Sequence, residues 1–537
     1  MLRFLEKNPI VSLSILLSFM LLIHLDIPNV TIMEARNFIT AREMVQDNNW
    51  LLTTMNGEPR YQKPPLPTWL SATSGLIFGM NSLYALRLPA ALMVLFLAIF
   101  CYLFSKIFKL SNRHALNNAL IAGTSFYIIA IINEAPWDIF THGFMLASIY
   151  FLVKTLTQQK KVWQNTLLAS VFFGLSFLSK GPISFYALFL PFLLSYFFVF
   201  KPKNLKAKII PGLGFLLIGF LIGGWWFAYV RYADPKTFLE ITTKETGNWS
   251  SYNVRPFYYY WSFFTQSGLW TIPALISLFY PYISKKTAYK KAYKFTFWWT
   301  IISVLLLSII PEKKSRYLMP VLIPLALNTG FYIEYLIHSF RNFTSKGEKF
   351  PVYFNFGLFA LIGIASPIGF YFLIKSNFEE YLVYYILASI SLLVVAILIV
   401  KNLRSKNFQN VFLATVLFMV FTLGFGLPLS KNLQDKTAFQ SIFTSKESKI
   451  PVYAIGEAAP EFIWKYNGKI KNIYKNKQIS FPKNKRFGVL VYNRDTKEFK
   501  KMFAEKYQIQ FSNTFNLNVG RKKRERLVRD YYIVLKK

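Results

Sequence analysis

The chain has 537 residues, 54% of them aliphatic or aromatic and only 16% charged, and its mean hydropathy is +0.33. Soluble domains carry about 25% charged residues, so this balance excludes an ordinary water-soluble enzyme and describes a polytopic membrane protein. The formal charge of +37 does not make the chain a nucleic-acid binder, because Lys and Arg fall in short loops between apolar runs and in the C-terminal tail.

The first apolar run begins near Ile10, behind Arg3 and Lys7. No small-x-small cleavage site follows it, so it reads as an anchor that stays. Measured against the roughly 20 residues that cross a bilayer, further runs begin near Leu83, Ala115, Ile139, Trp163, Ile183, Ile209, Ser267, Phe295, Leu318, Val352, Tyr381 and Val411, about thirteen spans in all. The lone Cys101 lies inside one of them, so no disulfide framework or thiolate metal cluster is expected. No zinc spacing or phosphate-cradling Gly loop occurs, and no cofactor or metal ligand is assigned.

The positive-inside rule orients these spans. With a cytoplasmic N-terminus, the inner loops carry Lys106, Lys109 and Arg113, then Lys154, Lys160 and Lys161, then Lys201, Lys203, Lys206 and Lys208. The pattern continues with Lys285, Lys286, Lys290, Lys291 and Lys294, then Arg341, Lys346 and Lys349, then Lys401, Arg404 and Lys406. Every alternate loop is basic, and the intervening loops face outward. An odd number of spans leaves the C-terminal tail outside as well. The expected domains are a transmembrane domain over residues 1–430, with its first outer loop at about 28–82, and a soluble α/β domain over 431–537.

In the first outer loop, Thr31-x-x-Glu34 has capping-box spacing and predicts a helix start. Phe38, Ala41, Met44 and Val45 then share one face while Arg36 and Glu43 fall elsewhere, an amphipathic pattern suited to the membrane surface. Glu34 reads equally as a cap and as a functional acid. Asn56-Gly57 supplies a turn, and Lys63-Pro64-Pro65 a stiff, extended lead into a second interfacial stretch. Lys63 also fits a snorkelling anchor.

The later outer segments hold more charge than anchoring requires. Glu134 and Asp138 stand four residues apart at the start of a span, with His142 one turn beyond, and carboxylates at that depth are costly unless paired or used. Ser179-Lys180-Gly181-Pro182 puts a cation at the junction of two spans. The segment 311–317 concentrates Lys313, Lys314 and Arg316 on the outer side, against the charge rule, as a phosphate-binding site requires. Acids suited to an attacking hydroxyl or a developing sugar cation, and bases suited to a phosphate leaving group, thus share one membrane face.

In the tail, residues 451–455 and 487–492 read as short buried strands, and 457–466 and 496–507 as helices, a small α/β fold. The cluster Arg521, Lys522, Lys523 and Arg524 reads as a solvated loop or as a patch for anionic head groups.

The order Glu34-x-Arg36, Arg42-Glu43-Met44, Trp50, Asn56-Gly57, Lys63-Pro64-Pro65, Asp138, Lys180-Gly181-Pro182 and Arg316-Tyr317-x-x-Pro320 resembles the polyprenyl-phosphate-dependent membrane glycosyltransferases of the glycosyltransferase C superfamily. Within it the match is to the protein O-mannosyltransferase-like branch that includes the 4-amino-4-deoxy-L-arabinose lipid A transferase. The resemblance covers roughly the first 330 residues. It implies a thirteen-span, α-helical polytopic fold with an outer C-terminal domain. It further implies sugar transfer from an undecaprenyl phosphate-type donor to a lipid A-like or other envelope acceptor at the outer face of the bacterial cytoplasmic membrane. The family pattern keeps an Asp-Glu pair in the first loop and a Glu before Lys-Pro; here Met33-Glu34 and Gln62 stand at those places.

On this reading Lys63, Lys180 and Arg316 are the candidates for the lipid phosphate, with Arg36, Lys313 and Lys314 behind them, in an inverting displacement that needs cations more than an acid. Glu34 and Asp138 are the candidates for acceptor activation or sugar positioning. The run from Arg255 through Tyr258 and Tyr259 resembles the family's lid, and together with Glu134 it is assigned to the acceptor or lid. Protein O-glycosylation on Ser or Thr is the rival within the superfamily. A lipid-linked sugar transporter, which would carry midspan charges in repeated halves, and a scaffold are the rivals outside it.

Overall fold

The computed structural model describes residues 6–202, 205–433, 450–475, 478–518 and 524–537. The chain divides into two compact units, Met1–Ile27 with Tyr61–Leu429, and Pro28–Arg60 with Ser430–Lys537.

The first unit is helical. Among the described residues, eight helical stretches are long and apolar enough to cross a bilayer, and the pair Asn112–Gly123 and Phe126–Glu134, bent by 42°, makes a ninth if taken as one span. The stretch 346–404, counted once there, holds two mutually packed helices, Lys346–Ile374 and Phe378–Arg404. Pro9–Leu22 and Phe185–Phe200 are apolar but shorter. All thirteen expected runs fall on helical segments, and the one near Ser267 is broken. There a 3-10 stretch, Phe263–Trp270, kinks at Gly268 (φ 66°, ψ −109°) before the seven-residue helix Thr271–Ser277. A Cβ at Gly268 would stand 2.6 Å from that of Phe126, so only glycine fits the kink.

Small residues let the helix Val162–Lys180 approach Ile209–Ala233. A Cβ at Gly223 would meet the Gly174 carbonyl oxygen at 2.8 Å, the close backbone contact of a small-xxx-small face. Around that contact, Phe173 stacks on Phe185 at 4.4 Å and meets Phe215 edge-on at 4.9 Å. Ile210, Leu213, Leu217 and Leu221 on Ile209–Ala233, and Leu361, Ile364 and Ile368 on Lys346–Ile374, remain exposed, as lipid-facing surfaces do.

The second unit is an α/β sandwich. Its strands are β1 (Thr54–Met55), β2 (Glu58–Pro59), β3 (Val452–Ala454), β4 (Lys471–Asn472), β5 (Tyr474–Lys475), β6 (Gln478–Ile479), β7 (Arg486–Val491), β8 (Tyr507–Asn516) and β9 (Val528–Lys536). The central sheet has the order β4-β3-β7-β9-β8, with β3 parallel to β4 and β7, and β9 antiparallel to β7 and β8. Side-chain alternation along β7 sorts its two faces. Leu490 lies in a core with Phe462 and Ile463 of the helix Pro460–Tyr466, whereas Phe487, Val489 and Val491 pack with Phe499 and Phe503 of the helix Thr496–Phe503.

The helix Ile32–Gln46 belongs to the first of those cores, to which it contributes Ala35 and Ile39. Phe38 meets Trp464 at 5.4 Å. Ala35, Phe38 and Ile39 of this first-loop helix are thus covered by the C-terminal fold. Arg521, Lys522 and Lys523 of the tail cluster lie outside the described residues.

Candidate functional site

In the first unit, the site is built where two antiparallel helices meet end to end. The helix Pro136–Thr157 opens on Pro136, which has no N–H to leave unsatisfied, and carries Asp138 in its first turn, where a carboxylate is favoured. The neighbouring helix Val162–Lys180 closes on a cation, again the favoured sign for that end. Gly181 ends it at φ 76°, ψ −151°, a region reserved for glycine, which explains the Lys-Gly-Pro run as a sharp exit that leaves Lys180 facing its neighbour. Asp138 and Lys180 form an ion pair, with side chains 2% and 8% exposed. The other carboxylate oxygen, Oδ2, is buried without a hydrogen-bond partner, as is Nδ1 of His142 one turn deeper.

The segment 311–317 supplies the facing wall. The Lys180 ammonium lies 5.4 Å from the Tyr317 ring, and the Arg316 guanidinium lies 5.7 Å from the same ring. Glu312 pairs with Lys314 and accepts from the Tyr317 hydroxyl at 3.2 Å. The Lys313 ammonium turns inward and donates to the carbonyls of Ile310 (2.6 Å) and Arg255 (3.2 Å), and burial lowers its pKa. Two of the three expected cations are therefore already engaged, Lys314 within its own loop and Lys313 partly by the long outer loop.

The long outer loop is tied to that wall. Val254 bridges Glu312, the Arg255 N–H donates to the Pro311 carbonyl at 3.2 Å, and the Lys314 N–H donates to the Tyr260 hydroxyl at 2.9 Å. Tyr259 meets Ser315 at 3.3 Å through their hydroxyls, while Arg255 and Tyr258 are exposed. Glu134 accepts from the Tyr127 hydroxyl at 2.5 Å. Lys63 is half-buried, 3.6 Å from Glu245.

A cavity of about 640 Å³ opens among these groups. One end is polar, lined by Asp138, His142, Lys180, Glu312, Arg316 and Tyr317. The rest is an apolar channel between Phe173, Phe185, Phe189, Leu193, Leu216 and Phe220. Such a cavity accommodates a ligand with an anionic head and a hydrocarbon body. Glu312, Tyr317 and His142 line it without having been assigned a role from sequence. A lone Glu among three cations was the available signal for Glu312.

Glu34 and Arg36 lie in the second unit. Glu34 is buried and completes the capping box, accepting from the Thr31 N–H at 3.0 Å while its own N–H donates to the Thr31 hydroxyl at 3.3 Å. Arg36 extends to Met33, with Nη1 3.9 Å from its sulfur, and the Arg36 carbonyl accepts from Arg60 at 2.5 Å.

A sequence profile of the dolichyl-phosphate-mannose-protein mannosyltransferases matches residues 62–226. An uncharacterised protein of Aquifex aeolicus is 30% identical over 302 residues, which are 55% of this chain and 58% of its own length. The undecaprenyl phosphate-alpha-4-amino-4-deoxy-L-arabinose arabinosyl transferase 2 of Proteus mirabilis is 24% identical over 356 residues, 63% of this chain and 60% of its own. The chain thus spans about three fifths of the curated relatives it matches. Among solved structures, ArnT from Cupriavidus metallidurans in the apo state aligns with a TM-score of 0.67 at 14% identity, over 99% of this chain and 98% of that one. The same protein bound to undecaprenyl phosphate aligns equally well, with a TM-score of 0.67 over 98% and 97%. At that identity the likeness establishes the fold, a polytopic helical membrane protein with a small C-terminal α/β domain.

Proposed function

We infer that the chain, a relative of the lipid-phosphate-dependent glycosyltransferases of the C superfamily and of their 4-amino-4-deoxy-L-arabinose transferase branch, transfers a sugar from a polyprenyl phosphate donor to an envelope acceptor. The observation that carries this reading is the two-part cavity, with Lys180 and Arg316 at its polar end and a phenylalanine-lined channel behind them. A phosphate held by the two cations leaves the isoprenoid chain in the channel, where burial stabilises it by about 25 cal/mol per Å².

In the reaction, an acceptor oxygen attacks the anomeric carbon from the face opposite the phosphate. The bond from that carbon to the phosphate oxygen breaks, and the electron pair leaves with the lipid phosphate. Lys180 and Arg316 neutralise the charge that develops there, with Lys63 and Arg36 in support. Glu34 or Asp138 takes the acceptor proton or positions the sugar, and Glu134, Arg255, Tyr258 and Tyr259 belong to the acceptor side or the lid. The alternation of basic loops supports a cytoplasmic N-terminus, with the site and C-terminal fold on the outer face of a bacterial inner membrane. The acceptor is a lipid A-like molecule or, as the profile over residues 62–226 favours, a protein Ser or Thr. Mass spectrometry of lipid A and of envelope glycoproteins from a deletion strain separates the two.

The donor site is tested by titrating undecaprenyl phosphate into the purified protein. Arg316→Ala and Lys180→Ala should each weaken binding about ten- to a hundredfold, the loss of one charge-assisted contact of about 1.5–3 kcal/mol. Lys313→Ala should leave affinity within about twofold, because its ammonium is already bonded to two carbonyls. Equal effects at Lys313 and Arg316 would refute this assignment.

A further inference from the structure

Three residues of the first-loop pattern, Arg42, Glu43 and Asn56, make their contacts within the second unit. Arg42 and Asn56 bond the loop to the C-terminal fold, and Glu43 holds the turn that carries Asn56. Arg42, 2% exposed, donates to the Asn467 side chain at 2.9 Å and to the Ile463 carbonyl at 3.3 Å, and its guanidinium lies 5.7 Å from the Trp464 ring. Those acceptors end the helix Pro460–Tyr466, whose last carbonyls have no partner within the helix. Glu43, 1% exposed, accepts from the Thr54 hydroxyl (2.7 Å) and from the N–H groups of Asn56 (2.7 Å) and Gly57 (3.1 Å), and so fixes the turn between β1 and β2. The turn holds Asn56 at φ 60°, and from there its amide makes a reciprocal pair with Ile470: Nδ2 donates to the carbonyl at 2.8 Å and Oδ1 accepts the N–H at 2.7 Å. Asp47 adds an ion pair to Lys469 at 2.9 Å.

A buried guanidinium and a half-buried amide that both find their partners on a distant stretch of chain, as Arg42 and Asn56 do, favour one arrangement of the two stretches. We propose that Arg42, Glu43 and Asn56 are positioning residues, which seat the loop segment bearing Glu34 and Arg36 on the C-terminal fold. The proposal rests on the transferase reading above. The family pattern in this loop then has two layers: Glu34 and Arg36 for chemistry, and Arg42, Glu43 and Asn56 to hold the helix that carries them.

The test uses the full-length protein in lipid nanodiscs with two readouts, amide hydrogen exchange over residues 34–46 and turnover of a polyprenyl phosphate-linked sugar. Asn56→Ala should speed exchange at least tenfold and lower kcat at least tenfold, with KM for the donor within twofold. In the same background, Asp47→Cys and Lys469→Cys joined by a short bis-maleimide should bring both readouts back to within threefold of the parent. The native Cys101 is buried and does not compete for the reagent. Unchanged exchange, fast exchange with full turnover, or a cross-link that restores protection without turnover would each overturn the proposal. A parent protein that transfers no sugar overturns the transferase reading instead, while exchange still decides the seating.

Discussion

Asp138 and Lys180 are 42 positions apart, and nothing local in either run announces the other. Sequence could mark each as a costly charge at a span end, because that judgement needs only hydropathy, but the pairing depends on how two helices pack. The pair also divides stability from function. Removing one partner strands a buried charge, at a cost of about 3–5 kcal/mol. Asp138→Asn should therefore lower the thermal midpoint in detergent sharply, and Asp138→Leu combined with Lys180→Leu should recover most of it, since apolar replacement of a buried pair is often neutral. The double variant should still fail to bind undecaprenyl phosphate. Normal binding in that variant would remove Lys180 from the phosphate site.

Elements whose signals lie within a few residues were legible, and those made by distant pairing were not. Thr31 and Glu34 specify a helix start by spacing alone, and the helix Ile32–Gln46 begins there with both cap bonds formed. The amphipathic character of that helix is legible too, but its partner is not: Ala35 and Ile39, beside the expected stripe, pack with Phe462 and Ile463, and Phe38 of the stripe meets Trp464. Strand β8 carries no local signal, being mostly exposed and polar, QIQFSNTFN after Tyr507, and its pairing with β9 shifts register between Phe511 and Asn513. Helix ends supply two measurable checks. Thr31→Ala should cost about 1 kcal/mol of stability through the lost cap, read as faster amide hydrogen exchange over residues 32–46. Gly181→Ala forces a side chain into a backbone region that costs about 1–3 kcal/mol, and because that turn aims Lys180 it should weaken undecaprenyl phosphate binding along with stability. Binding unchanged by Gly181→Ala would mean that the turn does not set the Lys180 position.

For the whole molecule, orientation turns on whether two irregular segments cross the membrane. Phe185–Phe200 has a helical rise of about 24 Å, short of the roughly 30 Å hydrocarbon core, and the segment from Phe263 is broken at Gly268. The orientation proposed above has both cross, since Lys160 and Thr243 are separated by the helices Val162–Lys180, Phe185–Phe200 and Leu205–Ala233. Three crossings put those two positions on opposite faces, whereas two would put them on one. The same parity links Thr243 to Ser345, across the broken segment, Lys290–Ile309 and Ser315–Asn342. Since Cys101 is the sole cysteine and is buried, single cysteines report cleanly. Thr243→Cys and Lys497→Cys should react with a membrane-impermeant maleimide in cells with a permeable outer envelope. Lys160→Cys and Ser345→Cys should react only once the inner membrane is opened. Labelling of Lys160→Cys together with Thr243→Cys would leave Phe185–Phe200 as a re-entrant segment, and the mouth of the cavity it lines would then have to be reassigned to the other face.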